Sequence, residues 1–129
     1  MDFTLRKYKE LLACLLKKGY KFITFEQFCA QKSLFLDPLA AGSAPASRWI
    51  ILRHDVDLKA ANSLATAQME QALGIKASYY FRVVAESNQP DIIRSIAELG
   101  HEVGYHYEDM AIANGDVPKA YAHFEKQLQ

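Results

Sequence analysis

One stretch of nine residues constrains the fold most strongly, because it changes abruptly from apolar to ionisable. Residues 49–52 (WIIL) are bulky and apolar, and residues 53–57 (RHDVD) bring Arg, His and two Asp together. The apolar run predicts a strand buried on both faces, as in a parallel sheet. In α/β proteins, ligands gather at the carboxyl ends of the strands. The charged residues therefore mark a candidate functional site.

The two aspartates of this stretch raise a question of charge. Asp55 and Asp57 are two positions apart, so extended backbone projects both to the same side. Two carboxylates on one side repel unless a cation, a proton or an arginine lies between them. An alternative is that Asp57 caps a helix beginning at Leu58 while Asp55 is a solvated loop residue. The stretch alone does not choose between these interpretations.

The rest of the second half alternates strands and helices. A helix is predicted over about 58–73, a strand over 77–84, a helix with Pro90 in its first turn, capped by Ser87 or Asn88 and ended by Gly100, and a strand over 101–105. Asp116 then caps a last helix. This βαβ pattern predicts an α/β fold with a parallel sheet of βα units. A closed (β/α) barrel needs roughly 250 residues, so 129 residues predict an open domain or the front half of a barrel.

The first 48 residues have a different character from residues 49–129. Thr4 is predicted to cap a leucine-rich helix, residues 20–23 an edge strand, and Thr24 with Gln27 a capping box for a short helix to about Gln31. Residues 37–48 are rich in Ala, Ser and Pro and predict a flexible loop. We therefore expect residues 1–48 to form a helical appendage plus loop, and residues 49–129 to form the α/β domain.

Composition and charge exclude several classes of function. Half of the 129 residues are hydrophobic, which makes disorder unlikely, and the formal net charge is zero, so no nucleic-acid partner is predicted. The longest apolar runs are far too short for a membrane span. The start of the chain lacks the pattern of a signal peptide. Cys14 and Cys29 are too few and too far apart for a zinc knuckle or redox pair. Cys14 is predicted to be a buried thiol, and a reducing, cytoplasmic setting is expected.

Residues 101–109 (HEVGYHYED) form a second unusual stretch. In a strand, His101 faces one way and His106 the other, so both reach one metal only if the strand bends, for instance at Gly104. His106 lies at the strand's end and is the better metal-ligand candidate. Glu108 and Asp109 follow on the loop, whereas His101 is predicted to be a sheet residue with a local hydrogen bond.

These two stretches together predict a metal centre. If the first and third strands lie near each other, Asp55, Asp57 and His106 converge at one rim. One imidazole with one or two carboxylates suits a divalent first-row metal with room for water. The alternative is a salt-bridge network at the rim, with His54 or Arg53 as the partner of the carboxylates.

Three segments give the chain a resemblance to a known family. Residues 52–57 (LRHDVD), 76–81 (KASYYF) and 100–106 (GHEVGYH) resemble, in order, the motifs of the polysaccharide deacetylase (NodB-homology, carbohydrate esterase) family. The family patterns are Thr-Phe-Asp-Asp-Gly, Lys-Ala-Thr-Phe-Phe and Gly-His-Glu-Ile-Gly-Asn-His-Thr-x-x-His. The third segment is the most specific, and the His-Asp-Val-Asp form is similar to a divergent subgroup of this family.

The resemblance implies a fold and an activity. The family folds as a distorted (β/α) barrel and removes acetyl groups from sugars with a metal-bound water, which here implies zinc, cobalt or iron and an acetylated carbohydrate substrate. By order, Asp55 takes the role of general base, and Asp57 and His106 those of metal ligands, although Val56 leaves open an exchange between the aspartates. The family's second histidine falls at Met110, a poor ligand, so Glu108 or Asp109 is a candidate substitute.

The resemblance covers about residues 49–110, roughly the first half of the family's fold. An alternative function is therefore a non-catalytic, truncated barrel fragment that binds a ligand or a partner. Such a fragment leaves an open sheet edge, through which self-association is expected. A weaker alternative is a flavodoxin-like regulatory domain with an acidic pocket. A nucleotide-binding role is disfavoured because the glycine-rich phosphate turn is missing after every strand.

Overall fold

The computed structural model describes residues 4–30 and 48–128. The loop predicted over residues 37–48 and the end of the helix predicted near Gln31 fall almost wholly outside these residues. Arg48 lies instead in a strand.

The described part of the N-terminal region contains helix α1 (Leu5–Lys17), strand β1 (Tyr20–Ile23) and helix α2 (Phe25–Ala30). Thr4 caps α1 by accepting a hydrogen bond from the amide of Lys7 at 3.3 Å. Thr24 and Gln27 form the reciprocal capping box, with distances of 3.0 and 3.2 Å. Both predicted helix starts are confirmed. They could be predicted from sequence because each depends on local hydrogen bonds.

The apolar stretch and the charged stretch after it are both strands. Strand β2 (Arg48–Ile51) pairs in parallel with β1, and strand β3 (Arg53–Val56) pairs in parallel with β4 (Ser78–Phe81). Leu52 separates β2 from β3, and its carbonyl oxygen accepts a hydrogen bond from the amide of Ser78 at 2.9 Å. Arg53, His54 and Asp55, which were expected at a polar strand end, therefore lie within the sheet itself, and Asp57 directly follows β3.

The remaining elements complete a run of parallel βα units. They are α3 (Ala60–Ala72), α4 (Pro90–Glu98), β5 (Glu102–Tyr105), α5 (Asp109–Ile112) and α6 (Val117–Gln127). Strand β5 pairs in parallel with β4, which gives a two-stranded sheet β1-β2 and a three-stranded sheet β3-β4-β5. The predicted α/β class with parallel βα units is confirmed.

Helix starts that depend on tertiary contacts differ from the prediction. Helix α3 begins after Lys59 and not at Leu58, so Asp57 is not its cap. Helix α4 is preceded by Gln89 and has no side-chain cap, because the Ser87 hydroxyl donates instead to the carbonyl oxygen of Val56. Asp116 does cap α6, by accepting from the amide of Lys119 at 3.1 Å.

Two hydrophobic clusters hold the elements together. The larger one joins β3, β4 and helices α3 and α4 through buried residues such as Val56, Tyr79, Phe81 and Ile96. The smaller one packs Leu12 of α1, which is 1% exposed, near Ile75. Burying a leucine this completely contributes about 1.5–3 kcal/mol. The division at residue 48 stays a prediction, and substantial packing crosses it.

Cys14 was predicted to be buried, and this is wrong. It lies on the exposed side of α1, and Cys29 is also exposed, with both thiols free. Within residues 4–30 and 48–128, no helix has the length and apolar character needed to cross a membrane.

Candidate metal centre

The three-stranded sheet has two chemically different faces. Because strand residues alternate, Val56, Tyr79 and Phe81 point to the helices α3 and α4 and build the core. The paired register places Arg53, Ser78 and Glu102 in one row across the sheet, and Asp55, Tyr80 and Gly104 in the next. This second face is polar and carries the candidate site.

Glycine at position 104 makes room on the polar face. A Cβ atom added there would lie 2.7 Å from the ring of Tyr80, closer than side-chain atoms approach one another. The guanidinium of Arg53 also packs over the Tyr80 ring, with its central carbon 4.7 Å from the ring centre. Strand β5 continues through Gly104, and His101 does not join His106, since its ring nitrogens contact Ala77 and Ala67.

Asp55 links an arginine to the histidine at the end of β5. Arg53 Nε donates to Asp55 Oδ1 at 2.7 Å. The other oxygen, Oδ2, lies 3.4 Å from His106 Nε2. The two strands are not neighbours in the sheet, since β4 lies between them. His106 reaches Asp55 because it lies one residue beyond β5, where its amide donates to the carbonyl oxygen of Phe81 at 2.8 Å.

Three potential ligands converge beside this pair. Asp57, His106 and Glu108 each offer a ligand atom, and these atoms all lie within 4.8 Å of one another. Asp57 is exposed, whereas His106 and Glu108 are half-buried. Glu108 is also held by Arg82, with a distance of 2.5 Å between Arg82 Nη2 and Glu108 Oε2. The aspartates and His106 that sequence patterns singled out are thus brought together with Glu108.

An open cavity of about 360 Å³ lies next to the acidic pair. One side is formed by residues of β3 and the loop after it, among them Arg53, Asp55 and Asp57. The other side is formed by polar residues at the start of α3, namely Asn62, Ser63 and Thr66. A cavity of this kind, lined by hydroxyl, amide and charged groups, suits a polar small molecule.

Three other residues considered from sequence lie apart from this cluster. His54 points to the opposite face of β3, where its Nε2 lies 2.7 Å from Glu70 Oε1. Asp109 is 4% exposed and accepts from the Tyr105 hydroxyl and from His123. Met110 is half exposed and lines an apolar groove. Of the two carboxylates considered as substitutes for a second histidine, Glu108 lies in the cluster and Asp109 does not.

A buried carboxylate that sequence analysis missed organises the helix side of β3. Glu70 of α3 is fully buried, with 0% exposure. The hydroxyls of Tyr8 and Tyr79 donate to its two oxygens, each at 2.7 Å, and His54 meets the first oxygen. The Tyr79 ring also stacks on His54, with ring centres 4.5 Å apart. The only signal in the sequence is that Glu70 lies three residues after Ala67 on the buried face of a helix.

The ionisation of this network follows from its contacts. Burial alone would raise the pKa of Glu70, but the hydrogen bond and charge of His54, with the two tyrosine hydroxyls, bring that pKa below the usual value for a glutamate. Burial and the adjacent Glu70 carboxylate raise the pKa of Tyr79 and of Tyr8 far above that of a free tyrosine. Glu70 is therefore a carboxylate held by neutral hydroxyl donors.

His101 was predicted to be a strand residue with a local hydrogen bond, but it lies just before β5, and its contacts are 24 and 34 residues away in sequence. Its Nδ1 accepts from the amide of Ala77 at 3.1 Å, and its Nε2 lies 3.0 Å from the carbonyl oxygen of Ala67. Burial lowers the pKa of His101, which favours the neutral ring that these two contacts require. It faces the helices and takes no part in the metal centre.

A further polar group lies behind Glu108. Asp109 accepts from Tyr105 and pairs with Nδ1 of His123 on α6. Burial and the Asp109 carboxylate raise the pKa of Tyr105 to about 12. Sequence analysis did not single out His123, because a lone histidine in the middle of a helix gives no sign of the partner that folding brings to it.

The geometry of the three donors decides whether they suit a divalent cation. Catalytic zinc sites use about three protein ligands, and two ligand atoms on one zinc lie at most about 4 Å apart. The three ligand atoms here meet this with small side-chain movements, since all lie within 4.8 Å of one another. His106 Nδ1 is buried and has no hydrogen-bond partner among residues 4–30 and 48–128. The residues therefore fit a divalent metal ion.

Comparisons of the chain with models of protein families, with curated proteins and with solved structures found no match.

Proposed function

We propose that this protein is a metal-dependent hydrolase that resembles polysaccharide deacetylases and cleaves a C–N bond, other than a peptide bond, of an acetylated carbohydrate. The observation that carries the proposal is the convergence of Asp57, His106 and Glu108 within 4.8 Å, with Asp55 beside them. The front half of a distorted (β/α) barrel is part of the same proposal. The polar face of the sheet supports it, because a barrel interior receives alternate residues of every strand.

The roles of the residues follow from their positions. Asp57, His106 and Glu108 would hold the ion, for which zinc is the first choice and cobalt or iron the next. A divalent ion bound there supplies Lewis acidity for a carbonyl group and makes the attacking water more acidic. Arg53 fixes one oxygen of Asp55 and leaves the other near His106. This placement supports Asp55 as the group that accepts a proton, and Asp57 as the ligand.

Glu108 is the better of the two proposed substitutes for the missing histidine. Its carboxylate belongs to the cluster, and its partner Arg82 lies at 2.5 Å, which holds it in position. Asp109 has both oxygens occupied by Tyr105 and His123. The proposal therefore takes Glu108 as the third ligand.

The main alternative needs no metal. Arg53 with Asp55 and Arg82 with Glu108 already form ion pairs, so the same residues also suit a salt-bridge network in a non-catalytic fragment. An apolar groove of about 370 Å³, lined by Tyr107, Met110 and Tyr121 among others, favours binding of a partner or self-association.

The hydrolase proposal also includes a ligand and a location. The ligand is an acetylated sugar, neither a nucleic acid nor a membrane is a partner, and the location is cytoplasmic.

Metal titration distinguishes these possibilities. We expect the chelator-treated protein to bind one equivalent of zinc at neutral pH, measured by calorimetry against a competing chelator. Loss even of a residue that orients a metal ligand weakens binding by about 10–100-fold, so Asp57→Ala, His106→Ala or Glu108→Gln should weaken it by about 100-fold or more. Asp91→Ala is the matched control, because this exposed carboxylate of α4 pairs with Arg94 and does not belong to the cluster.

Hydrolysis of an acetylated amino sugar by the metal-loaded protein then tests the reaction. Asp55→Asn should remove turnover while zinc still binds. Carefully prepared protein that holds no stoichiometric metal and takes up none at neutral pH would exclude the hydrolase and leave the salt-bridge network as the explanation of the cluster.

A further inference from the structure

A small cavity beneath Glu108 is distinct from the open cavity beside the aspartates. Its volume is about 80 Å³, several times the roughly 10–15 Å³ that a single water requires. It is lined by residues that come after β4, by the end of β5 and by helices α5 and α6: Arg82, Val83, Val84, Tyr105, His106, Glu108, Ile112 and His123. A molecule with a few non-hydrogen atoms is therefore the largest that fits.

The cavity combines unsatisfied polar nitrogens with apolar walls, since Arg82 Nε and His106 Nδ1 of its lining both lack a hydrogen-bond partner among the described residues. Arg82 Nε is buried and makes no hydrogen bond to any residue in the described ranges, although Arg82 Nη2 binds Glu108. Leaving a buried N–H group without an acceptor costs about 1–3 kcal/mol. Val83, Val84 and Ile112 supply the apolar part of the lining. A ligand that matches these walls carries one oxygen acceptor and a short hydrocarbon end.

The charges around the cavity favour a neutral ligand. Its two strongest donors each have their own carboxylate, since Arg82 pairs with Glu108 and His123 pairs with Asp109. A free carboxylate placed there would bring a further negative charge next to Glu108 and Asp109, which repel it. A carbonyl oxygen accepts the Arg82 hydrogen bond without that penalty.

We infer that this cavity binds a neutral carbonyl group of two or three carbons, such as an acetamido group, with its oxygen on Arg82 Nε and its methyl against Val84 and Ile112. Binding does not need the metal. If the proposed hydrolase function also holds, the cavity limits the acyl group to a short one, and this consequence alone rests on the proposed function.

Binding of acetamide to the chelator-treated full chain tests the inference. Titration is followed by NMR at the arginine Nε–H groups and at the valine and isoleucine methyl groups. We expect saturable shifts at Arg82, Val84 and Ile112, with acetate and butyramide each at least about fivefold weaker than acetamide. Arg82→Lys keeps the charge opposite Glu108 but removes the Nε donor, so acetamide affinity should fall about fivefold, the value of one hydrogen bond. Arg94→Lys is the control.

Cavity size is tested separately. Val84→Ala enlarges the wall and should narrow the difference between butyramide and acetamide, whereas Val103→Ala, on β5 but outside the lining, should not. The inference fails if acetamide causes no shift at Arg82, if Arg82→Lys binds as well as the parent chain, or if acetate binds more tightly than acetamide. Since no metal is present, these results are independent of the zinc titration, and either proposal can fail alone.

Discussion

Removal of the Glu70 carboxylate should destabilise the whole domain. Glu70 is 0% exposed, and Tyr8, Tyr79 and His54 all direct donors to its oxygens at 2.7 Å. In Glu70→Gln, the amide nitrogen takes the place of one acceptor, so at least one of these donors meets another donor. His54 also loses the negative charge opposite it.

The magnitude follows from these contacts. A hydrogen bond to a charged group is worth about 1.5–3 kcal/mol, and breaking a buried charged pair costs about 3–5 kcal/mol. We expect Glu70→Gln to lower the free energy of unfolding by about 3 kcal/mol, and Tyr8→Phe or Tyr79→Phe by about 1.5–3 kcal/mol each. Residues of one network are coupled. The double variant of Glu70→Gln and Tyr8→Phe should therefore lose less than the sum of the two single changes.

Urea unfolding followed by far-ultraviolet circular dichroism measures these differences. Glu10→Gln is the matched control, because this carboxylate lies on the exposed side of α1, where it pairs with Arg6 and Lys7. Its effect should stay within about 0.5 kcal/mol. If Glu70→Gln is too unstable to purify, Tyr8→Phe alone carries the test. A loss below about 1 kcal/mol for Glu70→Gln, or strict additivity in the double variant, would refute the assignment of Glu70 as a charged centre of the core.

Two further predictions concern stability. Burial lowers the pKa of His101, which is faced by Glu70, His54 and Lys76. Its contribution to the free energy of unfolding is therefore full above about pH 6.5 and decreases as the pH falls below that value. The free energy of unfolding should be up to about 1 kcal/mol lower at pH 5.5 than at pH 7, with a smaller difference in His101→Gln, and equal or greater stability at pH 5.5 would contradict this. Gly104→Ala places a Cβ 2.7 Å from the Tyr80 ring and should lower the free energy of unfolding by about 1–3 kcal/mol, measured by thermal unfolding. Adding Tyr80→Ala should restore the stability of this variant. An unchanged unfolding midpoint in Gly104→Ala would mean that the Tyr80 ring moves freely.

Local patterns predicted the α/β class, the parallel βα units and several helix starts. The prediction that the apolar stretch is buried on both faces is wrong, because β2 lies in a two-stranded sheet and Trp49 is 39% exposed. Contacts between distant segments account for the other differences. The starts of α1, α2 and α6 were predicted because Thr4, Thr24 and Asp116 bind amides within three residues. The start of α4 was not, because the Ser87 hydroxyl turns to Val56, 31 residues away in sequence. Strand alternation correctly separated the faces of His101 and His106.

The candidate site shows the same limits. That Asp55, Asp57 and His106 lie together was predictable from strand ends, even though β4 intervenes between β3 and β5. The choice of Glu108 over Asp109 was not, because adjacent carboxylates differ only in the partners that folding brings to them. Arg82 and His123 make that difference, and neither belongs to a recognisable motif.

The hydroxyl of Tyr8 reaches Glu70 across 62 positions of sequence, and this contact has a practical consequence. Shortening the protein to its three-stranded sheet for crystallography or engineering would remove the Tyr8 hydroxyl, which donates a hydrogen bond to the buried carboxylate of Glu70. Such a shortened version should express as an insoluble or protease-sensitive product, whereas a version that keeps the opening helix should not.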